Sequence, residues 1–330
     1  MHRLLFLLSP ERAHSVAMSA LHAALATPGV ASLLKAVART DGPAVEVFGL
    51  RFDNPLGIAA GFDKNAQHVH ALAALGFGFV EVGSVTARPS QGNPRPRVWR
   101  LRPDQALVNR MGLNNQGAEV IAATLAKLDA PVPLFVNVAK SHDPEVMGEA
   151  AVADYVTSVG RVAPHADVLV LNVSCPNTGD GRTFEDPEAL APLLAAVAPA
   201  VPDGTPWLVK VSPDLDPAAL DAVVDVALEA GAHGFTATNT TVSRAGLRTA
   251  GASELKGGLS GAPLHAAAVR TVARIRARTD VPIVGVGGIR TGADARDFLD
   301  AGAQLVQLFT GFIYGGPRTA RRICQGLARQ

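Results

Sequence analysis

The sequence is poor in several things, and each shortage narrows what the protein can be. It has only two cysteines, Cys175 and Cys324, far apart in the chain. That argues against a disulfide framework or a cysteine-based zinc site, and a reducing cytoplasm is the natural compartment. It has two tryptophans, two tyrosines, a formal net charge of +1 and no basic tract. A nucleic-acid binder needs a basic surface and benefits from aromatic platforms, so no nucleic-acid partner is expected. No stretch approaches the ~18 apolar residues of a membrane span. The apolar run at 4–8 is too short for a signal-peptide core and no small-residue cleavage site follows it. If the protein meets a membrane, it lies on the surface.

What is present is a globular composition, 48% hydrophobic and 18% charged over 330 residues, which suits one large domain with a small appendage. Residues 1–40 differ from the rest. Ser9 is placed to cap a helix that has Pro10 at its first position and Glu11 in its first turn. Ala13, Val16, Ala17, Ala20, Leu21 and Ala24 then recur at helical spacing, with Arg12, His14, Ser15 and Ser19 largely elsewhere. Thr27, Pro28 and Gly29 break that helix. A second, shorter one carries Leu33, Leu34 and Val37 on one side. Two readings fit: a helical hairpin packed on its own domain, or an apolar patch resting in a bilayer interface and admitting a lipid-soluble ligand.

Residues 41–330 alternate short apolar runs with alanine-rich helical stretches. The runs are 55–60, 79–82, 134–138, 168–173, 207–211, 234–237, 282–286 and 305–308. Eight βα units favour an α/β fold of the (β/α)8 TIM-barrel type. Residues 45–48 and 50–52 predict a hairpin closing the barrel's bottom. The long connections 86–114 and 240–261 read as lids or binding loops.

A barrel's active site lies where its strands end. There the sequence offers Lys64, Ser84, Asn137, Asn172, Lys210, Thr238, Asn239 and Thr240, with glycines at 287 and 288 after the seventh run and Thr310 after the eighth. Such a ring of polar groups over an apolar barrel predicts a polar ligand with many hydrogen-bonding edges. The late glycines predict a phosphate held on backbone N–H groups, with Gly261 adding another. Arg290 breaks the dinucleotide fingerprint of an open nucleotide-binding sheet. Lys64 and Lys210 suit an anionic substrate or an anionic reduced flavin, or else form structural ion pairs, with Asp63 beside Lys64. His68 and His70 lie two apart in a predicted helix and do not share a face, so no metal is expected.

Taken together and in order, these motifs resemble the dihydroorotate dehydrogenases. The resemblance is carried by residues 59–65 (AAGFDKN), 83–89 (GSVTARP), 109–115 (NRMGLNN), 172–178 (NVSCPNT), 237–241 (ATNTT), 257–261 (GGLSG) and 284–289 (VGVGGI). The opening segment 5–14 (LFLLSPERAH) is similar to the quinone-reducing class 2. The resemblance implies flavin mononucleotide (FMN) held by Ala60, Gly61, Lys64, Ser84, Asn137, Asn172, Lys210, Thr238, Gly261, Gly288, Phe309 and Thr310. It implies dihydroorotate held by Lys64, Asn109, Arg110, Met111, Gly112, Leu113, Asn172, Asn177, Asn239 and Thr240. Cys175 would be the general base, with Lys210 and Lys64 assisting, and a membrane quinone the electron acceptor. The protein would then sit peripherally on the cytoplasmic face of the cell membrane, without a metal. Cysteine before Pro176 is the pattern of the soluble classes, where the quinone class has serine. A soluble enzyme using fumarate or NAD is therefore the alternative acceptor reading, and a non-catalytic flavin-binding barrel the alternative outside enzymes.

Overall fold

A computed structural model describes residues 2–38, 40, 42–174 and 184–328. Among the described residues thirteen strands follow one another: β1 (Val45–Val47), β2 (Leu50–Phe52), β3 (Leu56–Asp63), β4 (Phe79–Val85), β5 (Val98–Leu101), β6 (Ala106–Asn109), β7 (Leu134–Val138), β8 (Val168–Asn172), β9 (Trp207–Val211), β10 (Gly234–Ala237), β11 (Gly258–Gly261), β12 (Ile283–Val286) and β13 (Leu305–Leu308). The helices most relevant to the site are α1 (Pro10–Leu25), α2 (Pro28–Ala38) and α3 (Val69–Ala73).

Strands β3, β4, β7, β8, β9, β10, β12 and β13 close into an all-parallel barrel in chain order. They coincide with the eight apolar runs. A strand covered on both faces must be apolar throughout, and β8 and β9 are buried at every residue. The hairpin β1–β2 plugs the N-terminal end: Val47 and Phe52 pack on Phe79, Phe135, Val168, Leu208 and Leu305 near the strand starts. The bottom is thus sealed, and the opposite end is left for chemistry.

The two long connections are not irregular loops. They supply β5, β6 and β11, an antiparallel sheet with its own small core of Leu101, Ala106, Val108, Ala252 and Leu259. The sheet stands beside the barrel mouth and brings Asn109 and Gly261 to it.

Helices α1 and α2 are bent by 112° at the break around Pro28. α1 packs Ala13 and Met18 against the barrel, with Leu21 and Leu25 beside them. Three details depart from the sequence reading. Ser9 occupies the cap position but its side chain makes no capping hydrogen bond. Glu11, expected to favour the helix N-terminus, instead accepts hydrogen bonds from Arg97 at 2.7 Å and Arg95 at 2.9 Å. Burial alone would raise the Glu11 pKa, but the two guanidiniums more than offset this and hold it below the usual range. The helix is therefore tied to the segment before β5 by charge as well as by packing. His14 faces inward and is half-buried, whereas the spacing put it on the polar side.

Candidate active site

One cavity of about 1290 Å3 opens over the C-terminal ends of the barrel strands and continues beneath the N-terminal helices. Its inner wall carries Ala60, Gly61, Lys64, Ser84, Asn172, Lys210, Thr238, Gly261, Gly288, Phe309 and Thr310. Asn109, Met111, Gly112, Leu113, Asn239 and Thr240 line it as well. The strand-end residues singled out by the sequence therefore converge on one space.

Two expected site residues are placed differently. Asn137 is fully buried behind the cavity wall. The Arg110 guanidinium turns away from the cavity, lying 5.7 Å over the Trp99 ring and donating to the Pro96 carbonyl. Cys175 and Asn177 lie outside the described residues.

The polar wall is a connected network. Asn137 Nδ2 donates to Glu81 Oε1 at 2.7 Å, and its Oδ1 accepts from the Ser84 hydroxyl. Ser84 Oγ accepts from Asn172 Nδ2 at 3.2 Å, and Asn172 Oδ1 accepts from Asn239 Nδ2 at 3.3 Å. Each amide is oriented by the next, so the groups reaching the cavity are fixed before any ligand arrives. Ser174, next to the expected base, is consumed by this network. Its Oγ donates to the Lys210 carbonyl at 3.2 Å and accepts from Asn239 Nδ2 at 3.1 Å.

Glu81 was not singled out by the sequence. It is fully buried on β4, lies 3.6 Å from Lys210 Nζ, and accepts from Gln307 Nε2 at 2.5 Å. Lys210 is thus an ion-pair member as well as a cavity group. Lys64 differs: its ammonium donates to the Gly61 carbonyl at 2.5 Å, while Asp63 is occupied by the backbone N–H groups of Gln67 and His68. Burial, then the charge of Arg97, lowers the Lys64 pKa to about 8, with Glu11 and Asp63 opposing.

The residues fit a ligand carrying phosphate and N–H groups. Gly288 has φ +70°, and a Cβ there would stand 2.8 Å from the Gly261 carbonyl oxygen and 2.8 Å from His265 Cβ. Gly261 has φ +100°, and its Cβ would meet the Gln105 carbonyl at 2.4 Å. This backbone cradle closes only without side chains, and Ser260 and Thr310 join hydroxyls across it at 2.7 Å. On the wall, Asn114 Oδ1 and Gln307 Oε1 are buried acceptors without a hydrogen-bond partner among the described residues. Both residues line the cavity, and a ligand with N–H donors would satisfy such acceptors. Asn114 lay within the quoted 109–115 motif but had not been singled out.

A prediction follows from the cradle. Gly288→Val should yield a protein with unchanged circular dichroism that purifies without flavin. Retention of a stoichiometric flavin would show that the phosphate lies elsewhere.

A possible metal cluster, His265 with Asp294 and Asp297, lies off this cavity. Its groups are already used: Asp297 Oδ2 accepts from His265 Nε2 at 2.8 Å, and Asp294 forms a capping box with Thr291 at the helix that starts at Gly292.

Comparison with known proteins agrees with this geometry. Residues 43–330 match the family model described as dihydroorotate dehydrogenase. The chain is 48% identical to a protein of Anaeromyxobacter sp. (strain Fw109-5) named dihydroorotate dehydrogenase (quinone), over 98% of this chain and 90% of that one. It is 47% identical to the Thermobifida fusca (strain YX) protein of the same name, over 99% and 90%. The crystal structure of Eimeria tenella DHODH in complex with ferulenol superposes with a TM-score of 0.84 at 34% identity, covering 97% of this chain and 91% of that one. A matched sequence over nearly the whole length, on a closed barrel with the expected strand-end groups, leaves one assignment: the chain belongs to the dihydroorotate dehydrogenase family.

Proposed function

We propose that this protein oxidises dihydroorotate to orotate for pyrimidine biosynthesis, using bound FMN and delivering the electrons to a membrane quinone. The observation that carries this reading is the continuity of the cavity. Its floor is the polar strand-end ring, and its outer walls are Leu4, Leu5, Leu21 and Leu34 of the extension. A polar pyrimidine and an apolar acceptor can thus reach opposite parts of one space.

When bound, FMN takes a hydride from the substrate and holds two electrons for the acceptor. Gly261, Gly288 and Thr310 would hold its phosphate, and Lys210 its electron-rich ring edge. Asn172, Asn239 and Thr240 would clamp the pyrimidine, and Lys64 its carboxylate. Cys175 would take the proton from C5.

No single described helix is long and apolar enough to cross a membrane. Leu7 is 81% exposed, Leu4 65% and Leu33 64%, with Val16 and Val30 beside them in the extension. These side chains support a peripheral seat on a membrane surface, and we place that seat on the cytoplasmic face.

The test is anaerobic. Dihydroorotate should bleach the flavin, and a long-chain quinone should restore its colour much faster than fumarate or NAD does. Restoration by fumarate or NAD alone would favour the soluble acceptor reading, to which Cys175 points. No bleaching would leave a flavin-binding barrel without turnover.

The Lys64 pKa gives a second expectation. Its ammonium is charged below about pH 8 and neutral above. A carboxylate ligand is held only by the charged form, so orotate affinity should be flat below that value. Above it, affinity should fall by up to about tenfold per pH unit. Titration of the flavin spectrum with orotate measures this, and Lys64→Met should weaken binding and flatten the profile. An unchanged profile in Lys64→Met would remove Lys64 from the carboxylate site.

A further inference from the structure

The cavity contains one group of side chains that neither the flavin nor the pyrimidine site uses. His14 and His68 line it, and His22 lies outside it, exposed on α1. His22 Nε2 and His68 Nδ1 are 2.8 Å apart and share a hydrogen bond. The His68 ring is 6.0 Å from the His14 ring, centroid to centroid. His14 stands edge-on to Phe62 at 4.8 Å, and Phe62 to Phe309 at 5.8 Å. Three imidazoles thus lead from solvent to the aromatic wall of the cavity.

We infer that His22, His68 and His14 form a proton-delivery line serving the reduction of the acceptor in the outer part of the cavity. The inference rests on the quinone reading above. Converting a quinone to a quinol takes two electrons and two protons. An anionic reduced flavin supplies both electrons and one proton and returns to its oxidised form. One further proton must come from water, through walls made largely of leucine, alanine and phenylalanine.

The groups facing this line leave it as the suitable carrier. Glu11 is held by Arg97 and Arg95. The arginines do not release protons near neutral pH. Asp63 is occupied by the backbone N–H groups of Gln67 and His68, the latter at 2.6 Å, which fixes His68 at the start of α3. Among the described residues the rival donor is Lys64, and it lies on the pyrimidine side, bonded to Gly61.

Burial, then the charges of Lys64 and His68, lowers the His14 pKa to about 4. Burial also lowers that of His68, against the pull of Asp63. His14 is therefore neutral at pH 7, and burial favours the neutral form of His68; a neutral imidazole has one N–H and one lone pair and can accept a proton on one nitrogen while releasing one from the other. A proton reaching His22 passes to His68 across the 2.8 Å bond. A bridging water or a small ring rotation carries it to His14, whose own proton goes to the acceptor oxygen.

The experiment separates the half-reactions in the holoenzyme. Flavin is reduced with dihydroorotate, then mixed with a short-chain quinone in a stopped-flow instrument. His22→Ala, on the surface, and His68→Gln, which keeps a hydrogen-bonding side chain, should each slow reoxidation about tenfold or more at pH 8 and less at pH 6. The quinone KM and the bleaching rate should stay as in the wild type. Added imidazole should restore the His22→Ala rate, and the solvent deuterium isotope effect on reoxidation should grow. Independently of turnover, NMR of histidine-labelled holoenzyme should show the His14 titration moving upward in His68→Gln, because one of the groups lowering it is gone. Wild-type rates in both variants would overturn the line, as would slowing that appears only in KM and that imidazole does not relieve. A wild-type enzyme that quinone does not reoxidise would instead overturn the acceptor assignment.

Discussion

Replacing Cys175 with alanine should slow dihydroorotate-driven flavin reduction by roughly a hundredfold or more, the usual scale for a lost general base. Ser174→Ala should cost far less. The two residues adjoin in sequence, and the resemblance to the quinone-reducing class implies serine at the base position, so position alone does not choose between them. The hydrogen bonds of Ser174 do. Ser174 is 2% exposed and absent from the cavity wall, and its hydroxyl is engaged as donor to Lys210 and acceptor from Asn239. With its proton donated to the Lys210 carbonyl and its side chain set back from the cavity, this hydroxyl is not placed to take a proton from substrate. Deleting it leaves Asn239 Nδ2 the Ser174 carbonyl at 3.0 Å, so the loss is about one ordinary hydrogen bond, ~1 kcal/mol. A free thiol has a pKa of about 8.5, far below an alkyl hydroxyl. The reduction rate should therefore rise across a thiol-like pKa and be blocked by thiol alkylation, with orotate protecting. Cys175→Ser should keep part of the rate and move its pH dependence upward. An inactive Ser174→Ala enzyme beside an active Cys175→Ala enzyme would reverse the assignment.

What the sequence disclosed follows from how locally each feature is determined. The eight barrel strands were legible because burial on both faces leaves an unbroken apolar run whatever the partner. The plug β1–β2 was legible because its two strands are separated by a tight turn at Phe48 and Gly49. The sheet of β5, β6 and β11 was not. Each of its strands has four residues, β11 contains two glycines, and β11 pairs with β6 across about 150 residues of chain. Its strand character comes from that distant pairing rather than from local preference.

Glu81 was missed for a related reason. In the run 79–82 a single glutamate reads as a strand position facing solvent. It faces inward because Asn137, Lys210 and Gln307 arrive from β7, β9 and β13 to meet it. The histidine line depends likewise on α1 docking against α3, a contact across more than forty residues. Single residue types at strand ends could be read; the pairs they form could not.

The Glu81–Lys210 pair gives the other large expected effect. Glu81→Gln removes the charge and keeps the shape. The side-chain oxygen can still accept from Asn137, and Gln307 can accept from the new NH2 only by flipping its amide, which exchanges its cavity-side Oε1 for an NH2. What is stranded is the Lys210 ammonium, whose side chain is only 7% exposed. Breaking a buried pair by removing one partner costs about 3–5 kcal/mol, and chemical denaturation should show a loss of that order. The flavin should report the same change with a definite sign. With its counter-charge gone, Lys210 leaves the site more positive, which favours the anionic reduced flavin, so the midpoint potential should rise. Lys210→Met has the opposite charge change and should lower it. A unit charge a few Å from the ring is worth about 3 kcal/mol at an effective dielectric of ~20. For a two-electron couple ~30 mV corresponds to ~1.4 kcal/mol. Shifts of several tens of millivolts, opposite in the two variants, are therefore expected in an equilibrium titration against a redox dye. Shifts of the same sign, or none in either holoenzyme, would mean that Lys210 serves the barrel's packing and not the electron-rich edge of the flavin.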